Sequence, residues 1–115
     1  MVREGQVVLF KFPPTGQAQL KLRPALVIRK LPGHREDWLI CMISAQLSQA
    51  VPVFDDIVSK KDEDFLQSGL KQESAIRITR LAVVHKSILS GGIGEIRAER
   101  LQRIKRRLSD WIIGR

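Results

Sequence analysis

Helical periodicity occurs in only one segment of this 115-residue chain, and that segment is the last one. Apolar residues recur there at the three- and four-residue spacing of one helix face: Leu101, Ile104, Leu108, Trp111 and Ile112. The other side of the helical wheel carries Arg100, Arg103, Arg106 and Arg107. The spacing predicts an amphipathic helix over about residues 97–113, packed by its apolar side on the rest of the chain.

The segments before this helix have the composition of β-strands. Strands are predicted at QVVLFKF (6–12), PALVIRK (24–30), WLICMIS (38–44) and SAIRITRLAVV (74–84), with a weaker strand, PVFDDIV, starting at Pro52. WLICMIS is the most apolar and is expected at the centre of the sheet. Two polar stretches predict short helical turns, one ending at Gly69 and one, HKSILSGG, closed by glycines. Strands followed by one terminal helix predict an α+β fold, a small curved sheet or barrel on the helix, as a single domain over residues 1–115.

The net charge of +8 is concentrated at the two ends of the chain. Residues 1–35 carry seven basic side chains and one acidic, and residues 97–115 carry seven and two. The middle, residues 36–96, carries six basic and nine acidic side chains. Basic surfaces favour phosphate-rich partners or an acidic protein. A well-solvated basic helix explains the charge almost as well, so charge alone does not establish nucleic-acid binding.

Several functional classes have no support in the sequence. The longest apolar run, Trp38–Ile43, is far too short to span a membrane, and the N-terminus has no apolar signal segment, so a cytoplasmic protein without a membrane partner is predicted. Cys41 stands among apolar residues and is interpreted as a small buried hydrophobe. The Cys and His content predicts no zinc site, and no phosphate loop or other cofactor motif is present. The acidic clusters at residues 55–56 and 62–64 are interpreted as solvated loops, with a metal site as the less favoured alternative.

The remaining candidates for chemistry are polar residues inside or at the ends of strands. Arg23 precedes Pro24 and a buried run, Ser44 ends the most apolar strand, and Arg77 and Thr79 share one face of an otherwise apolar strand. A charged side chain near a core needs either a partner or a function. Composition alone favours a structural arginine at position 23, a backbone-bonded hydroxyl at Ser44 and an outward position for Arg77.

The segments EGQVVLFKFPP, KLRPALVIRK, LICMISAQ, GLKQESAIRITRLAVVHKSIL and IGEI, in that order, resemble the MazF/PemK (Kid) toxins of bacterial type II toxin–antitoxin systems. The resemblance runs from about Gly5 to the C-terminal helix. It implies a small SH3-like β-barrel of the MazF/Kid/CcdB type with a C-terminal amphipathic α-helix. It also implies a sequence-specific endoribonuclease that uses no metal or other cofactor, works as a homodimer and is neutralised by a cognate antitoxin protein.

The resemblance implies roles for particular residues. Arg23 matches the family's active-site arginine, Ser44 a position usually held by threonine, and Arg77 a catalytic arginine of the Kid-like branch. Thr79 stands where that branch carries an aspartate used in acid–base work, which is a departure from the family pattern. The loop PPTGQAQL corresponds to the family's first long loop, near the RNA and the antitoxin. The expected catalytic set is Arg23, Ser44, Arg77 and Thr79, and the expected RNA-binding set is Thr15, Gly16, Gln17, Lys21 and Gln46.

Arginine suits metal-free cleavage of single-stranded RNA, in which the 2′-OH attacks the neighbouring phosphate and negative charge builds there. The guanidinium is planar, stays charged and binds phosphate bidentately. Because it rarely gives up its proton, it is a poor general base, and the proton acceptor has no assigned residue. Thr79 keeps open a second function, a non-catalytic member of the fold that binds nucleic acid or a protein target such as gyrase. A third, a small basic DNA-binding regulator, is disfavoured because the apolar face of the C-terminal helix is committed to packing.

Overall fold

The computed structural model describes residues 2–12 and 21–115, which form an antiparallel sheet and two helices. The strands are β1 (Gln6–Phe12), β2 (Lys21–Lys30), β3 (Asp37–Ser44), β4 (Asp56–Val58), β5 (Ser74–His85) and β6 (Ser90–Glu95). The helices are α1 (Phe65–Ser68) and α2 (Ala98–Ile113), and two 3₁₀ turns span Leu47–Gln49 and Lys86–Ile88. The strand order in the sheet is β4-β5-β3-β2-β1-β6, which places β3 in its interior as expected.

The curled sheet carries apolar side chains on both faces, because successive side chains of a strand point to opposite sides. Helix α2 packs on one face through Leu101, Ile104 and Leu108, which join a core cluster with strand residues such as Ile43 and Ile76. A second cluster lies on the other face and consists of Val8, Phe10, Ala25, Val27, Trp38, Ile40 and Val84. The predicted α+β fold is confirmed: a curled half-barrel of antiparallel strands packed on a C-terminal helix.

Strand β6 was not predicted. The glycines of this segment were expected to close a helical turn, HKSILSGG, but that turn ends at Ile88 and residues 90–95 pair with β1. These glycines allow close approach of two backbones: a Cβ on Gly94 would lie 2.2 Å from the carbonyl oxygen of Gln67, in α1. Gly69 ends α1 with a φ of +76°, as the sequence predicted. The glycine-rich segment therefore serves strand packing rather than a turn.

Two strands begin at other residues than predicted. Strand β2 begins at Lys21 rather than at Pro24, so Arg23 lies within the strand and not before it. Strand β4 begins at Asp56 rather than at Pro52, because residues 51–55 form a turn in which the Asp55 N–H donates to the Val51 carbonyl at 2.9 Å. The apolar stripe of α2 was expected to extend through Trp111 and Ile112. Those two side chains are 54% and 66% exposed, since the helix runs past the edge of the core after its last buried residue.

The interpretation of the acidic clusters as solvated loops is wrong for Asp55, Asp56 and Asp64, which are all buried. It failed because their counter-charges come from arginines far along the chain. Arg100, predicted on the polar side of α2, is itself buried and donates from Nε to Asp64 Oδ2 at 2.7 Å and from Nη1 to Asp56 Oδ2 at 2.6 Å. Its Nη2 also donates to Asp62 at 2.9 Å. These ion pairs anchor α2 to β4 and to the segment before α1.

No helix in residues 2–12 and 21–115 is long and apolar enough to cross a membrane. Within the same residues, no group of three or more His, Cys, Asp or Glu side chains is arranged to hold a metal ion. Cys41 is completely buried, as expected. Burial, and secondarily the nearby Asp55 carboxylate, raises the pKa of the Cys41 thiol far above its usual range, so it stays protonated and is no nucleophile at neutral pH.

Candidate active site

Strand pairing places Arg23, Ser44 and Arg77 on the same face of three neighbouring strands. Ala25 of β2 pairs with Met42 of β3, and Met42 pairs with Arg77 of β5. Arg23 lies two residues before Ala25, and Ser44 lies two residues after Met42, so alternation keeps both on that face. This is the face that α2 does not cover. The three residues expected to converge therefore share one region of the sheet, although no hydrogen bond joins any two of them in the described part of the chain.

Arg23 is a cation without a partner among the described residues. It is exposed on β2, where it pairs across the ladder with Phe10 of β1, and it makes no ion pair or hydrogen bond within residues 2–12 and 21–115. The next residue, Pro24, pairs with β1 only, since pairing with β3 begins at Ala25. A proline is tolerated at such a position and holds the preceding residue extended. Arg23 also borders a cleft of about 450 Å³ lined mainly by apolar side chains such as Leu9 and Leu70.

Arg77, by contrast, is held by a buried carboxylate. Its Nε donates to Asp55 Oδ2 at 3.1 Å, and the two side chains are only 12% and 2% exposed. Oδ2 of Asp55 also accepts from the Val51 N–H at 2.9 Å, and Oδ1 accepts from the Ile78 N–H at 3.0 Å. Asp55 thus connects the turn before β4, the backbone of β5 and the Arg77 guanidinium.

A chain of hydrogen bonds links Ser44 to Arg77 through two glutamines. The Gln46 N–H donates to Ser44 Oγ at 3.1 Å, and Gln49 Nε2 donates to Gln46 Oε1 at 2.6 Å. Arg77 Nη1 donates to Gln49 Oε1 through a long bond of 3.4 Å. The 3₁₀ turn that follows β3 therefore bridges the two strands that carry Ser44 and Arg77.

Thr79 lies in a bulge of β5. Cys41 and Met42 are consecutive on β3, yet they pair with Leu81 and Arg77, so residues 78–80 have no partner on β3. The predicted simple alternation of Arg77 and Thr79 along one face is interrupted there, and Thr79 is exposed. Bulges re-aim side chains and recur next to active sites. The Ile78 N–H in this bulge has no partner on β3 and donates to Asp55 instead.

The expected RNA-binding residues fall into two groups. Lys21 is exposed at the start of β2, and Gln46 is exposed directly before the 3₁₀ turn. Thr15, Gly16 and Gln17 lie outside the described residues. The assignment of all five to RNA binding stays a prediction, as do the catalytic roles of Arg23, Ser44, Arg77 and Thr79.

Asp55 and Gln49 were not among the site residues predicted from the sequence. One signal was available: an arginine in an apolar strand, such as Arg77, needs a counter-charge. The sequence offers nine acidic residues between positions 36 and 96, and nothing in it selects Asp55 among them. Gln49 carries no signal at all, since an exposed glutamine in a polar turn is ordinary.

Comparison with known proteins identifies the family. The sequence model of a family described as PemK-like, MazF-like toxin of type II toxin-antitoxin system matches residues 3–112. A search of curated proteins found no match.

Solved structures share the fold at low sequence identity. The Mycobacterium tuberculosis toxin MazF-mt6 aligns over 94% of this chain and 96% of its own, with a TM-score of 0.68 and 14% identity. An endoribonuclease in complex with its cognate antitoxin, from a mycobacterial species, aligns over 100% and 98% with a TM-score of 0.66 and 13% identity. The MazE–MazF structure from Deinococcus radiodurans aligns over 100% and 99% with a TM-score of 0.72 and 19% identity. With the family match over residues 3–112, this chain belongs to the PemK-like, MazF-like toxins of type II toxin–antitoxin systems.

Proposed function

We propose that this toxin is a sequence-specific endoribonuclease that cleaves single-stranded RNA without a metal ion. The 2′-OH attacks the adjacent phosphate, the bond from phosphorus to the 5′-oxygen of the next nucleotide breaks, and that oxygen leaves as a 5′-hydroxyl while a 2′,3′-cyclic phosphate remains. The observation that carries the proposal is the position of Arg23: an exposed guanidinium without a counter-ion in the described residues, on the sheet face that also carries Ser44 and Arg77. Such a cation attracts phosphate, and in this proposal the two neighbouring groups act on the same phosphate.

The two arginines have different tasks in this proposal. Arg23 binds the scissile phosphate and stabilises the negative charge that develops on it, since a preorganised donor of this kind lowers the barrier by roughly 3–4 kcal/mol. Arg77 adds donors from a fixed position, because Asp55 already balances its charge. Ser44 orients the phosphate through its hydroxyl, which receives the Gln46 N–H and keeps its own proton to donate.

The remaining polar residues contribute to RNA binding. Lys21 and Gln46 are exposed on the segments that flank Arg23 and Ser44, and both are proposed to contact the RNA. The same role is proposed for Thr15, Gly16 and Gln17. Thr79 is exposed in the bulge two residues after Arg77, and its hydroxyl is proposed to assist at the site with a smaller contribution than the arginines.

The proposal includes the partners of this toxin. One structure of the same fold contains a cognate antitoxin, and we propose that an antitoxin neutralises this chain as well. We also propose that residues 1–115 act as one domain, that the active form is a homodimer, and that it works on RNA in the cytoplasm. Size-exclusion chromatography with light scattering, with and without a candidate antitoxin protein, tests the assembly part.

A cleavage assay tests the enzymatic part. The purified protein is incubated with a long single-stranded RNA in EDTA, and the fragment ends are mapped; a 2′,3′-cyclic phosphate is expected. Arg23→Ala should lower the cleavage rate by about 10²–10³-fold while the far-UV CD spectrum and Tm stay unchanged. Arg29→Ala is the matched control, because Arg29 is exposed at the other end of β2. If clean wild-type protein leaves RNA of varied sequence intact, the endoribonuclease proposal fails.

A second candidate function is binding of nucleic acid or of a protein target without cleavage. It is favoured by one observation, the threonine at position 79 in place of the carboxylate expected from the family resemblance. RNA binding that weakens steeply with salt while the RNA stays intact would support this alternative over the first.

A further inference from the structure

Asp55 is tied to the protein more firmly than an ion pair with Arg77 requires. Its two oxygens accept two backbone N–H groups, from Val51 and Ile78, in addition to Arg77 Nε. Its side chain is 2% exposed. We propose that Asp55 is the positioning residue of the site, which fixes the Arg77 guanidinium so that its remaining donors face the RNA phosphate; this inference rests on the proposed function.

The hydrogen bonds of Arg77 leave most of its donors free. A guanidinium has five N–H donors. Two of them are engaged within the described residues, one on Nε by Asp55 and one on Nη1 by Gln49. Two anchors at different nitrogens fix both the position and the rotation of the planar group. Both donors of Nη2 and one of Nη1 remain for a phosphate, which suffices for bidentate binding.

The backbone bonds of Asp55 couple this orientation to the rest of the site. The Val51 N–H belongs to the segment that follows Gln49, and the Ile78 N–H belongs to the bulge that follows Arg77. The turn closed by Asp55 contains Val53, a β-branched residue with a φ of +68°. Such a backbone conformation is costly and persists only where the surrounding contacts enforce it. One carboxylate therefore holds a strained turn, a strand bulge and a guanidinium in a single arrangement.

This arrangement separates attraction of the phosphate from its orientation. Asp55 neutralises Arg77, so the affinity for a phosphate depends mainly on Arg23. Loss of the Asp55 charge should disturb the geometry of the transition state more than the binding of RNA. A misplacement of about 1 Å at a reacting centre costs roughly 10²-fold in rate. The expected signature is a fall in kcat with KM nearly unchanged.

The kinetic test uses a short RNA that contains the cut site mapped for the wild type. Asp55→Asn keeps the size of the side chain and one acceptor oxygen, and its kcat should fall by about 30- to 100-fold while KM changes by less than about threefold. Gln49→Ala, at an exposed residue, should lower kcat by roughly 3- to 10-fold, because one of the two anchors is lost. Asp110→Asn removes a carboxylate from a surface pair with Arg115 and serves as the matched control with unchanged kinetics.

A second measurement starts from the wild type, where it depends neither on turnover nor on a variant that folds. In ¹⁵N relaxation of the wild type, the Arg77 Nε–H should be as rigid as the backbone, whereas the Arg23 Nε–H should be mobile. In Asp55→Asn, the Arg77 signal should become mobile, and Gln49→Glu in that background should restore part of kcat by supplying a carboxylate at Nη1.

The outcomes separate this inference from the proposed function. If the wild type cuts RNA and a folded Asp55→Asn variant cuts with kcat within threefold of it, the positioning role is wrong and the endoribonuclease stands. A wild-type Arg77 Nε–H as mobile as that of Arg23 overturns the positioning role even if Asp55→Asn does not fold. If the wild type cuts no RNA, both proposals fall together.

Discussion

Asp55 and Asp56 are adjacent in the chain, yet their side chains lie on opposite faces of the sheet and hold different arginines. Asp56 pairs with Ile76, whose side chain belongs to the core under α2, so its carboxylate points towards the helix. Asp55 points the other way, to Arg77 on the uncovered face. Alternation along an extended chain is enough to produce this split.

The two carboxylates differ in the number of charges around them. Asp56 accepts from three arginines of α2, namely Arg100, Arg103 and Arg107. With Asp62 and Asp64 the cluster contains three acidic and three basic groups, so its charge is balanced, and all five N–H donors of Arg100 are engaged. Asp55 holds one arginine at one nitrogen and leaves donors free. One acidic dipeptide therefore anchors α2 on one face and, in our proposal, orients Arg77 on the other.

The greatest effect expected is a loss of stability on the face where the Asp56 cluster anchors α2. Arg100→Met removes the guanidinium that Asp56, Asp62 and Asp64 share and leaves the Asp64 carboxylate, which is only 1% exposed, without its cationic partner. Breaking a buried ion pair from one side costs about 3–5 kcal/mol, and a loss of this size in the free energy of unfolding is expected in urea denaturation. Arg106→Met is the matched control, since Arg106 is exposed on the same helix, and it should change stability by less than about 0.5 kcal/mol. Equal changes in the two variants would show that the cluster contributes nothing to the fold.

Exchanging each aspartate for asparagine should separate stability from activity. In either variant the free energy of unfolding should fall by about 1.5–3 kcal/mol, because hydrogen bonds to a charged partner are lost. Asp56→Asn should nevertheless keep the kcat of the folded protein, because its arginines lie on the helix face and not at the site. Parallel urea denaturation and RNA cleavage under native conditions measure both. A fall of kcat in Asp56→Asn as large as in Asp55→Asn would remove the distinction between the two faces.

Acid should lower the free energy of unfolding, because the carboxylates that anchor α2 become protonated. The Ser59 N–H and then Arg100 hold the pKa of Asp62 below its usual range. Burial tends to raise the pKa of Asp64, but the Arg100 side chain and the Arg97 N–H outweigh burial and leave that pKa lowered. A carboxyl with a lowered folded-state pKa stabilises the protein above its unfolded pKa of about 3.9, and this contribution disappears as the pH falls through the folded pKa.

The free energy of unfolding should therefore be level near neutrality and fall increasingly steeply below about pH 5. Urea titrations between pH 7 and pH 3 measure this slope. In Asp64→Asn the slope should be shallower, since one group that takes up a proton on unfolding is absent. A slope identical to that of the wild type would mean that Asp64 does not contribute to acid sensitivity.

The parts of the molecule that were predicted correctly depend on local patterns. Period-two apolar segments identify the strands, and Gly69 identifies the end of α1, because side-chain spacing and backbone freedom are local properties. Strand β6 was missed because its glycines suit a turn as well as a strand. Only the close contact of its backbone with α1 distinguishes the two structures, and the sequence does not show that contact.

The candidate site divides in the same way. Arg23 precedes the buried part of β2 and Ser44 ends β3, and the sequence shows both positions beside their apolar runs. Asp55 and Arg100 owe their roles to partners 22 to 44 positions away, and no local pattern predicts such pairs. An acidic cluster in polar sequence is ordinarily expected to be solvated. Here the many arginines of α2 were the evidence against that expectation.

The smallest effect is expected for Thr79, near the face on which Asp55 is proposed to orient Arg77. It follows Arg77 by two residues, but the bulge leaves it exposed and without a ladder partner on β3. Thr79→Ala should therefore change the free energy of unfolding by less than about 0.5 kcal/mol, since surface substitutions rarely do more. Cleavage should fall by less than about tenfold if the hydroxyl only assists a phosphate held by the arginines, because one neutral hydrogen bond is worth roughly 1 kcal/mol.

Thr79→Val keeps the shape and removes only the hydroxyl, so equal losses in the two variants assign the effect to hydrogen bonding. A loss as large as that of Arg23→Ala would instead make Thr79 a principal group of the site, and the orientation of Arg77 by Asp55 would then explain only part of the chemistry.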